Sequence, residues 1–249
     1  MSDPAEQPAP GTGGHAALEA PPGEDGDPFA APGYRESVVE LLGLLAYGEL
    51  TAFGRMAADA ELAPSLSAKA ELARFATVEF GHFDRLRVRL RDLGVAPDDA
   101  MAPFEAAYDA FHDRTKPADW LEGLVKAYVG DGIAGDFYRE IAQYLDPASR
   151  ELITEVLAEG GQAEFAVAAV RSAIEQTPAV SGRLALWGRR LLGEALSQAQ
   201  RVAADRDALA SLVVGSPERP GADLAEIVKL LGRLTDAHAA RMARLGLDA

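Results

Sequence analysis

Apolar side chains recur every three or four residues along most of the chain, which is the spacing of one face of an α-helix. Six helices are predicted, and proline or glycine marks each break between them. The connection from Val95 to Pro117 is long and is predicted to contain a short helix around Phe104 to His112. No segment alternates like a strand, so the predicted fold class is all-α. The six helices span about residues 36–62, 66–93, 118–144, 147–175, 182–213 and 222–245.

The second predicted helix carries a carboxylate and an imidazole on an otherwise apolar face. Glu79 and His82 are three residues apart, so they project from the same side of the helix as Leu72, Phe75 and Leu86. Burial of a lone carboxylate is costly and normally requires a charged partner. Because a bound cation satisfies such a pair, Glu79 and His82 are predicted to be metal ligands.

The chain contains an internal repeat that matches this pair with a second one. Glu49 corresponds to Asp131 at an offset of 82 residues, and the stretch 79–82 corresponds to the stretch 159–162 at an offset of 80. Each half is therefore predicted to be a helical hairpin with one acid on its first helix and an acid-x-x-polar pair on its second. Four unrelated acids in a generic helical bundle are the alternative explanation.

Two helical hairpins joined by a long crossover have the topology of a ferritin-like four-helix bundle. In the two-metal proteins of this kind, two helices each supply a Glu and the other two supply Glu-x-x-His. We therefore predict a bundle over about residues 36–175, with the long crossover between its second and third helices. Two additional C-terminal helices, at about 182–213 and 222–245, follow it. The predicted metal ligands are Glu49, Glu79, His82, Asp131, Glu159 and Gln162.

The type of metal centre depends on the second half of the repeat. Carboxylate oxygens together with imidazole suit iron or manganese. Gln162 is a neutral amide at the position where the pattern expects histidine, and Asp131 is shorter than the expected glutamate. A di-iron centre is the main prediction. A mononuclear or asymmetric iron site, a manganese site and a site that has lost its metal are the alternatives.

Composition and charge exclude several classes of function. Residues 1–33 hold seven Pro, six Gly and six acids but no Lys or Arg, so we predict a disordered acidic tail ahead of a helical domain at 34–249. The net charge of −15 disfavours a broad nucleic-acid surface. The absence of cysteine excludes disulfides, zinc–thiolate sites and iron–sulfur clusters. With no apolar run of ~20 residues and no signal-peptide pattern, we expect a cytoplasmic protein without a membrane span.

Four runs of the sequence are distinctive: residues 47–53 (YGELTAF), 79–82 (EFGH), 128–134 (YVGDGIA) and 186–198 (LWGRRLLGEALSQ). These runs resemble actinobacterial ferritin-like proteins, which are related to the tRNA isopentenyl-adenosine hydroxylases. The resemblance is specific to the actinobacterial group and looser toward the tRNA enzyme, and it covers about residues 34–246.

The resemblance implies a ferritin-like bundle whose non-haem di-iron centre activates dioxygen and hydroxylates an organic substrate, with electrons from a donor. Glu49, Glu79, His82, Asp131 and Glu159 would take ligand positions, whereas Gln162 departs from the family's histidine. In the hydroxylase itself the substrate is a modified adenosine of tRNA, a partner that the acidic charge disfavours here. A homodimer is compatible with the sequence.

Three hypotheses of function follow. The first is an oxygen-activating, metal-dependent oxidase or hydroxylase. The second is a ferritin-like binding or iron-handling protein without an organic substrate, although the extra C-terminal helices would obstruct cage contacts. The third is a metal-free scaffold or interaction protein, which Gln162 favours.

Other polar side chains are assigned structural positions. His112 and His238 lie among charged residues near helix ends and are predicted to be at the surface. Tyr128 and Tyr138 share the helix face of Asp131 and are predicted to pack in the core, with hydrogen bonding to ligands or a radical relay as the alternatives.

Overall fold

The computed structural model describes residues 29, 31–158, 161–215 and 221–249, and within these ranges it is helical without any strand. The predicted all-α class is confirmed. The predicted acidic tail lies outside the described residues, apart from Phe29 and residues 31–33. The helices are α1 (Tyr34–Asp59), α2 (Leu66–Asp92), α3 (Pro97–Met101), α4 (Glu105–Arg114), α5 (Trp120–Ala142), α6 (Pro147–Val156), α7 (Gln162–Gln176), α8 (Val180–Asp205), α9 (Asp207–Val214) and α10 (Leu224–Leu245). Short 3₁₀ segments at Ala60–Leu62 and Ala102–Phe104 extend α1 and join α3 to α4.

Polar side chains fix where the bundle helices begin. The Ser65 hydroxyl accepts a hydrogen bond from the Ala68 amide at 3.2 Å at the start of α2. The Asp119 carboxylate accepts one from the Glu122 amide at 3.0 Å at the start of α5. Asp146 caps α6 in the same way, as its position before a proline predicts. Each such cap stabilises its helix by about 1 kcal/mol, because it satisfies an amide that the helix leaves unpaired.

The fourth predicted helix is two helices rather than one. α6 ends at Val156 and α7 begins at Gln162, and Gly161 between them has a φ of 82°. The prediction was wrong because the apolar period of residues 147–175 continues across a Gly-Gly pair, whereas glycine weakens a helix and readily adopts positive φ. The break places a helix start at one of the predicted ligand positions.

The fifth predicted helix also breaks, so three helices rather than two follow the bundle. Arg206 has φ −133° and ψ 84° and separates α8 from α9. Glu40 of α1 forms an ion pair with Arg206, and its carboxylate accepts a hydrogen bond from the Leu209 amide at 3.1 Å. The start of α9 is thus held by a residue far away in the sequence, which the local apolar pattern does not encode.

The buried apolar side chains of the described residues form two clusters, and the predicted ligands on α1, α2 and α5 lie where the clusters meet. One end of α1, of α2 and of α5 packs into the first cluster and the other end into the second. The change of cluster falls within about a turn of Glu49 on α1, of Glu79 and His82 on α2, and of Asp131 on α5. The bundle therefore encloses a polar layer between two apolar halves.

The segment Tyr34–Leu62 is long and apolar enough, by length and composition, to cross a membrane. Half of its most apolar window is buried inside the protein, and core helices of soluble proteins pass the same test. Val38, Leu41 and Leu42 are completely buried in the first cluster. Since these contacts already satisfy its apolar face, the segment is a core helix of the bundle.

We expect Gly43→Ala to destabilise the fold by roughly 1–3 kcal/mol, because the carbonyl of Ala100 in α3 lies where the added Cβ would be. Gly54→Ala in the same helix is the matched control, since nothing lies within 4 Å of its added Cβ. That change should be neutral or stabilise by up to about 1 kcal/mol through helix propensity. Urea unfolding of both variants measures the difference. Equal stabilities would contradict the close approach of α3 to α1.

Candidate metal centre

Three of the predicted ligands converge on one point in the polar layer. Glu49 projects from α1, and Glu79 and His82 project from α2, where their spacing of three residues places them on one face. His82 Nδ1 lies 3.3 Å from Glu49 Oε2 and 3.5 Å from Glu79 Oε2. One donor atom from each residue lies within 4.8 Å of the other two. The side chains are 10–14% exposed, so the group is shielded from bulk water.

The charges of this group are strongly coupled. Burial raises the pKa of Glu49 to about 8, and the hydrogen bond from His82 only partly opposes it. Burial also acts against ionisation of Glu79, but hydrogen bonds from His82 and Glu49 outweigh it and lower the pKa of that carboxyl. The pKa of Glu49 is raised and that of Glu79 is lowered because the two carboxyls share one proton, which Glu49 holds.

The imidazole is held in its charged form by both carboxyls. Burial by itself would lower the pKa of His82, but its hydrogen bonds to Glu49 and Glu79 raise the pKa to about 9. In the absence of a metal, protons therefore balance the two carboxylates. A divalent cation would take the place of those protons, because metal ligands must be deprotonated to bind.

In the second half of the repeat, Asp131 and Gln162 lie in the same polar layer but hydrogen-bond to each other. Gln162 Nε2 donates a hydrogen bond to Asp131 Oδ2 at 2.6 Å, and its side chain also hydrogen-bonds to Glu79. Burial and the neighbouring Glu79 and Glu49 raise the pKa of Asp131 well above its ordinary value. The amide thus joins the acid of α5 to the three-residue group. The sixth predicted ligand, Glu159, lies outside the described residues.

A cavity of about 1290 Å³ borders this cluster. Glu49, Glu79, His82, Asp131 and Gln162 all line it, and its other walls are mainly apolar side chains of α1, α5, α8, α9 and α10. Ligand pockets in proteins commonly have volumes of about 300–1,000 Å³. The space next to the cluster is therefore large enough for an organic molecule.

A tyrosine of the crossover approaches the cluster and was not identified from the sequence. A Cβ added at Gly48, beside Glu49, would lie 2.5 Å from Tyr108 Oη. Tyr108 Oη is 3.0 Å from Tyr138 Oη, and burial raises the pKa of Tyr108 to about 12. Tyr138 therefore packs in the core with a satisfied hydroxyl, as predicted. Gly48 was the one sequence feature that could have indicated a close neighbour.

Both histidines predicted at the surface lie in the interior, so that prediction was wrong. His238 is only 2% exposed on α10. His112 lines the cavity, where its Nδ1 is 3.1 Å from Lys126 Nζ. Burial and the charges of Lys126 and Arg55 lower the pKa of His112 to about 3. Helices that pack on the bundle cover both residues, and the local charge pattern does not show this.

The donor set fits one metal ion. Glu49, Glu79 and His82 supply two carboxylates and one imidazole, a set that suits iron or manganese and leaves coordination positions for other ligands. On the other side of the layer, Asp131 is already bonded to the amide of Gln162. Among the described residues, three side chains could hold one ion together, whereas Asp131 has no such group of donors around it.

In metal-free protein, we expect the stability to fall as pH rises from about 4.5, the ordinary pKa of Glu49, to about 9, the raised pKa of His82. The folded-state pKa values of His82 and Glu49 lie above their ordinary values, so the folded state binds these protons more tightly than the unfolded state. The stabilisation from His82 is complete below pH ~6.5 and is lost as pH passes about 9. Thermal unfolding in chelator, compared with a Glu49→Gln, His82→Gln double variant, isolates this effect. Parallel pH curves for the two proteins would contradict it.

Comparisons with known proteins agree with this architecture. No curated protein matches the sequence. Among solved structures, the chain is similar to "Protein 19 with aldehyde deformylating oxidase activity from Synechococcus", with a TM-score of 0.65 and 22% identity, over 89% of this chain and 94% of that one. At this identity the likeness shows the fold alone, and it confirms the predicted ferritin-like fold.

The sequence of the chain also matches a protein family directly. The match is to the ferritin-like domain of actinomycetes and covers residues 32–216. This range contains α1 to α9 and every predicted ligand position. The chain belongs to the family of actinomycete ferritin-like domains.

Proposed function

We propose that the protein is an oxygen-activating, metal-dependent oxidase that acts on an organic substrate held in the cavity. One observation carries the proposal: Glu49, Glu79 and His82 converge at one point and line a cavity of about 1290 Å³. A site for metal storage needs no such space for an organic molecule, whereas an oxidase does. The oxidase activity named for the similar Synechococcus protein supports the same class of reaction.

Iron is the metal we propose, with manganese as the alternative for the same donor set. Iron held by Glu49, Glu79 and His82 would supply the redox chemistry that dioxygen requires. A second ion would need Asp131 and Glu159 as ligands, so the di-iron centre requires more than the group of Glu49, Glu79 and His82. Dioxygen and an electron donor are the co-reactants of such an oxidase.

The residues around the centre have distinct tasks. The apolar cavity walls would bind the body of the substrate and keep bulk water from the reacting atoms. Tyr108 and Tyr138, joined by a hydrogen bond of 3.0 Å, hold the wall beside Glu49 in a fixed position.

The type of oxidation and the substrate belong to the proposal as well. Hydroxylation follows from the resemblance to the tRNA hydroxylases, and an aldehyde substrate from the name of the Synechococcus protein. A tRNA substrate is disfavoured by the net charge of −15. We expect the protein to act in the cytoplasm.

A metal-free scaffold is the second candidate function, and one observation favours it. Gln162 donates a hydrogen bond of 2.6 Å to Asp131, and His82 bridges Glu49 and Glu79. The polar layer therefore has internal partners for its acids without any ion. Metal content distinguishes this candidate from the oxidase.

Protein purified from iron-supplemented cells should contain at least one iron or manganese per chain by elemental analysis. A Glu79→Ala, His82→Ala double variant should lose the metal, because it retains only one of the three ligands. Asp84→Ala on the same helix is the matched control, since Asp84 pairs with Arg87 and is not among the ligands. Wild type without metal, and a double variant as thermally stable as wild type in chelator, would exclude the oxidase.

Gln162→His should raise the metal content toward two ions per chain. The imidazole would add a ligand and remove the amide that now bonds Asp131. Gln176→His, at the exposed end of the same helix, tests whether any added histidine has this effect. An unchanged stoichiometry in Gln162→His would show that the two halves of the repeat are not aligned as the offset of 80 residues requires.

A further inference from the structure

One end of the cavity is basic, and the proposed oxidation does not use it. Arg55, Lys116 and Lys126 line the cavity there, and we call these three residues the basic corner. Burial, with a smaller contribution from the charge of nearby Arg55, lowers the pKa of Lys126 to about 8. The rest of the cavity wall is largely apolar. Cations gathered at one end of an apolar cavity indicate a ligand with an anionic group at one end.

Among the described residues, the cations of the basic corner form no ion pair with an acid, although Asp59 and Asp131 attract Lys126 from a distance. Lys126 Nζ donates to the Thr115 carbonyl at 2.7 Å and lies 3.1 Å from His112 Nδ1, and both of these acceptors are neutral. Within the described residues, Arg55 and Lys116 form no hydrogen bond or ion pair. A half-buried ammonium without a counter-charge is costly, since its attraction to an anion is strong where water is scarce.

The acids near the basic corner do not neutralise it. Asp59 and Asp113 also line this part of the cavity. Asp59 forms no ion pair with Arg55 or Lys126, and its pKa is raised by burial despite their attraction. Asp113 is exposed. Asp131, which also lines the cavity, attracts Lys126 from a distance. The three cations therefore face three acids, and none of these acids forms an ion pair with them in the part of the chain that the structure describes.

The basic corner lies at a fixed distance from the candidate metal centre. Arg55 follows Glu49 by six residues on α1, and Lys126 precedes Asp131 by five residues on α5. At 1.5 Å rise per residue these separations are about 9 Å and about 7.5 Å along the two helices. The helices run in opposite directions, because Asp59 near the end of α1 lies beside Gly123 near the start of α5. Both helices therefore place their cations on the same side of the centre.

We propose that the basic corner is an anion subsite that binds the carboxylate or phosphate of an amphipathic substrate. The apolar body of the substrate then extends along the cavity toward Glu49, Glu79 and His82. The backbone positions of the basic corner and of the centre are separated by about 7.5–9 Å along α1 and α5, so a substrate that spans them needs an apolar chain of several carbons. The subsite itself is a property of the cavity, and its role in presenting a substrate rests on the proposed oxidase function.

Calorimetric titration of the chelator-treated full chain tests the subsite independently of any metal. The probes are octanoate, octyl phosphate and octanol, which share an apolar chain and differ in the head group. We expect at least one of the anions to bind about tenfold more tightly than octanol, as a charge-assisted hydrogen bond in a shielded site provides. Tighter binding of octanoate assigns a carboxylate, and tighter binding of octyl phosphate assigns a phosphate ester. Equal binding of all three probes, or no binding, would overturn the proposal.

Three variants test which residues cause the tighter binding of the anionic probes. Arg55→Gln and Lys126→Met should each reduce anion binding about tenfold and leave octanol binding unchanged, because each removes a cation and keeps most of the side-chain volume. Arg55 is exposed, so its variant remains informative if Lys126→Met does not fold. Lys229→Gln is the control, since Lys229 is exposed and does not line the cavity. Anion preference that survives both Arg55→Gln and Lys126→Met would place the anion elsewhere.

The orientation of the probe is measured with Mn²⁺ added to the protein. Paramagnetic broadening of the octanoate proton signals should be strongest toward the methyl end, because the carboxylate lies at the basic corner and the chain points to the metal. Strongest broadening next to the carboxylate would mean that the anion binds the metal directly, and would overturn the subsite. If Mn²⁺ does not bind, the proposed oxidase fails, while the calorimetric result still decides the anion subsite.

Discussion

The contact that the rest of the structure depends on is the placement of two carboxylates and an imidazole between two apolar clusters. Glu49, Glu79 and His82 lie within hydrogen-bonding distance of one another with little access to bulk water. Such a group persists in a protein interior only if protons or a cation balance its charge. Without an ion, protons do so, because burial raises the pKa of Glu49 and hydrogen bonds to the two carboxyls raise the pKa of His82. A metal ion that bound here would replace these protons.

The helices outside the bundle turn this polar layer into a site next to a cavity. The crossover contributes Tyr108 and His112, and α8 to α10 supply apolar walls and Arg241. Without these elements the cavity side of the layer would be open to water. The additional helices thus give the ferritin-like bundle a partly open cavity with room for an organic molecule, and the basic corner places cations at one end of it.

The two halves of the internal repeat have diverged in both chemistry and backbone. The first half keeps two continuous helices, α1 and α2, and brings three metal-compatible donors together. In the second half the helix breaks before Gln162, and this residue donates a hydrogen bond to Asp131. The amide offers an N–H group to the carboxylate, whereas a metal ligand has to offer a lone pair to the ion. The asymmetry explains why one ion fits the described residues better than two.

The sequence by itself determined the all-α class, the pairing of the bundle helices and the convergence of Glu49 with Glu79 and His82. These features follow from local periodicity, from caps and from the rule that acids on an apolar face need partners. Whether those residues bind metal stays a prediction. Only the tertiary structure decided the breaks at Gly161 and Arg206, the burial of His112 and His238, and the unpaired cations beside the cavity. Each of these depends on which distant helix packs against the residue, and that information is absent from the local pattern of apolar and polar positions.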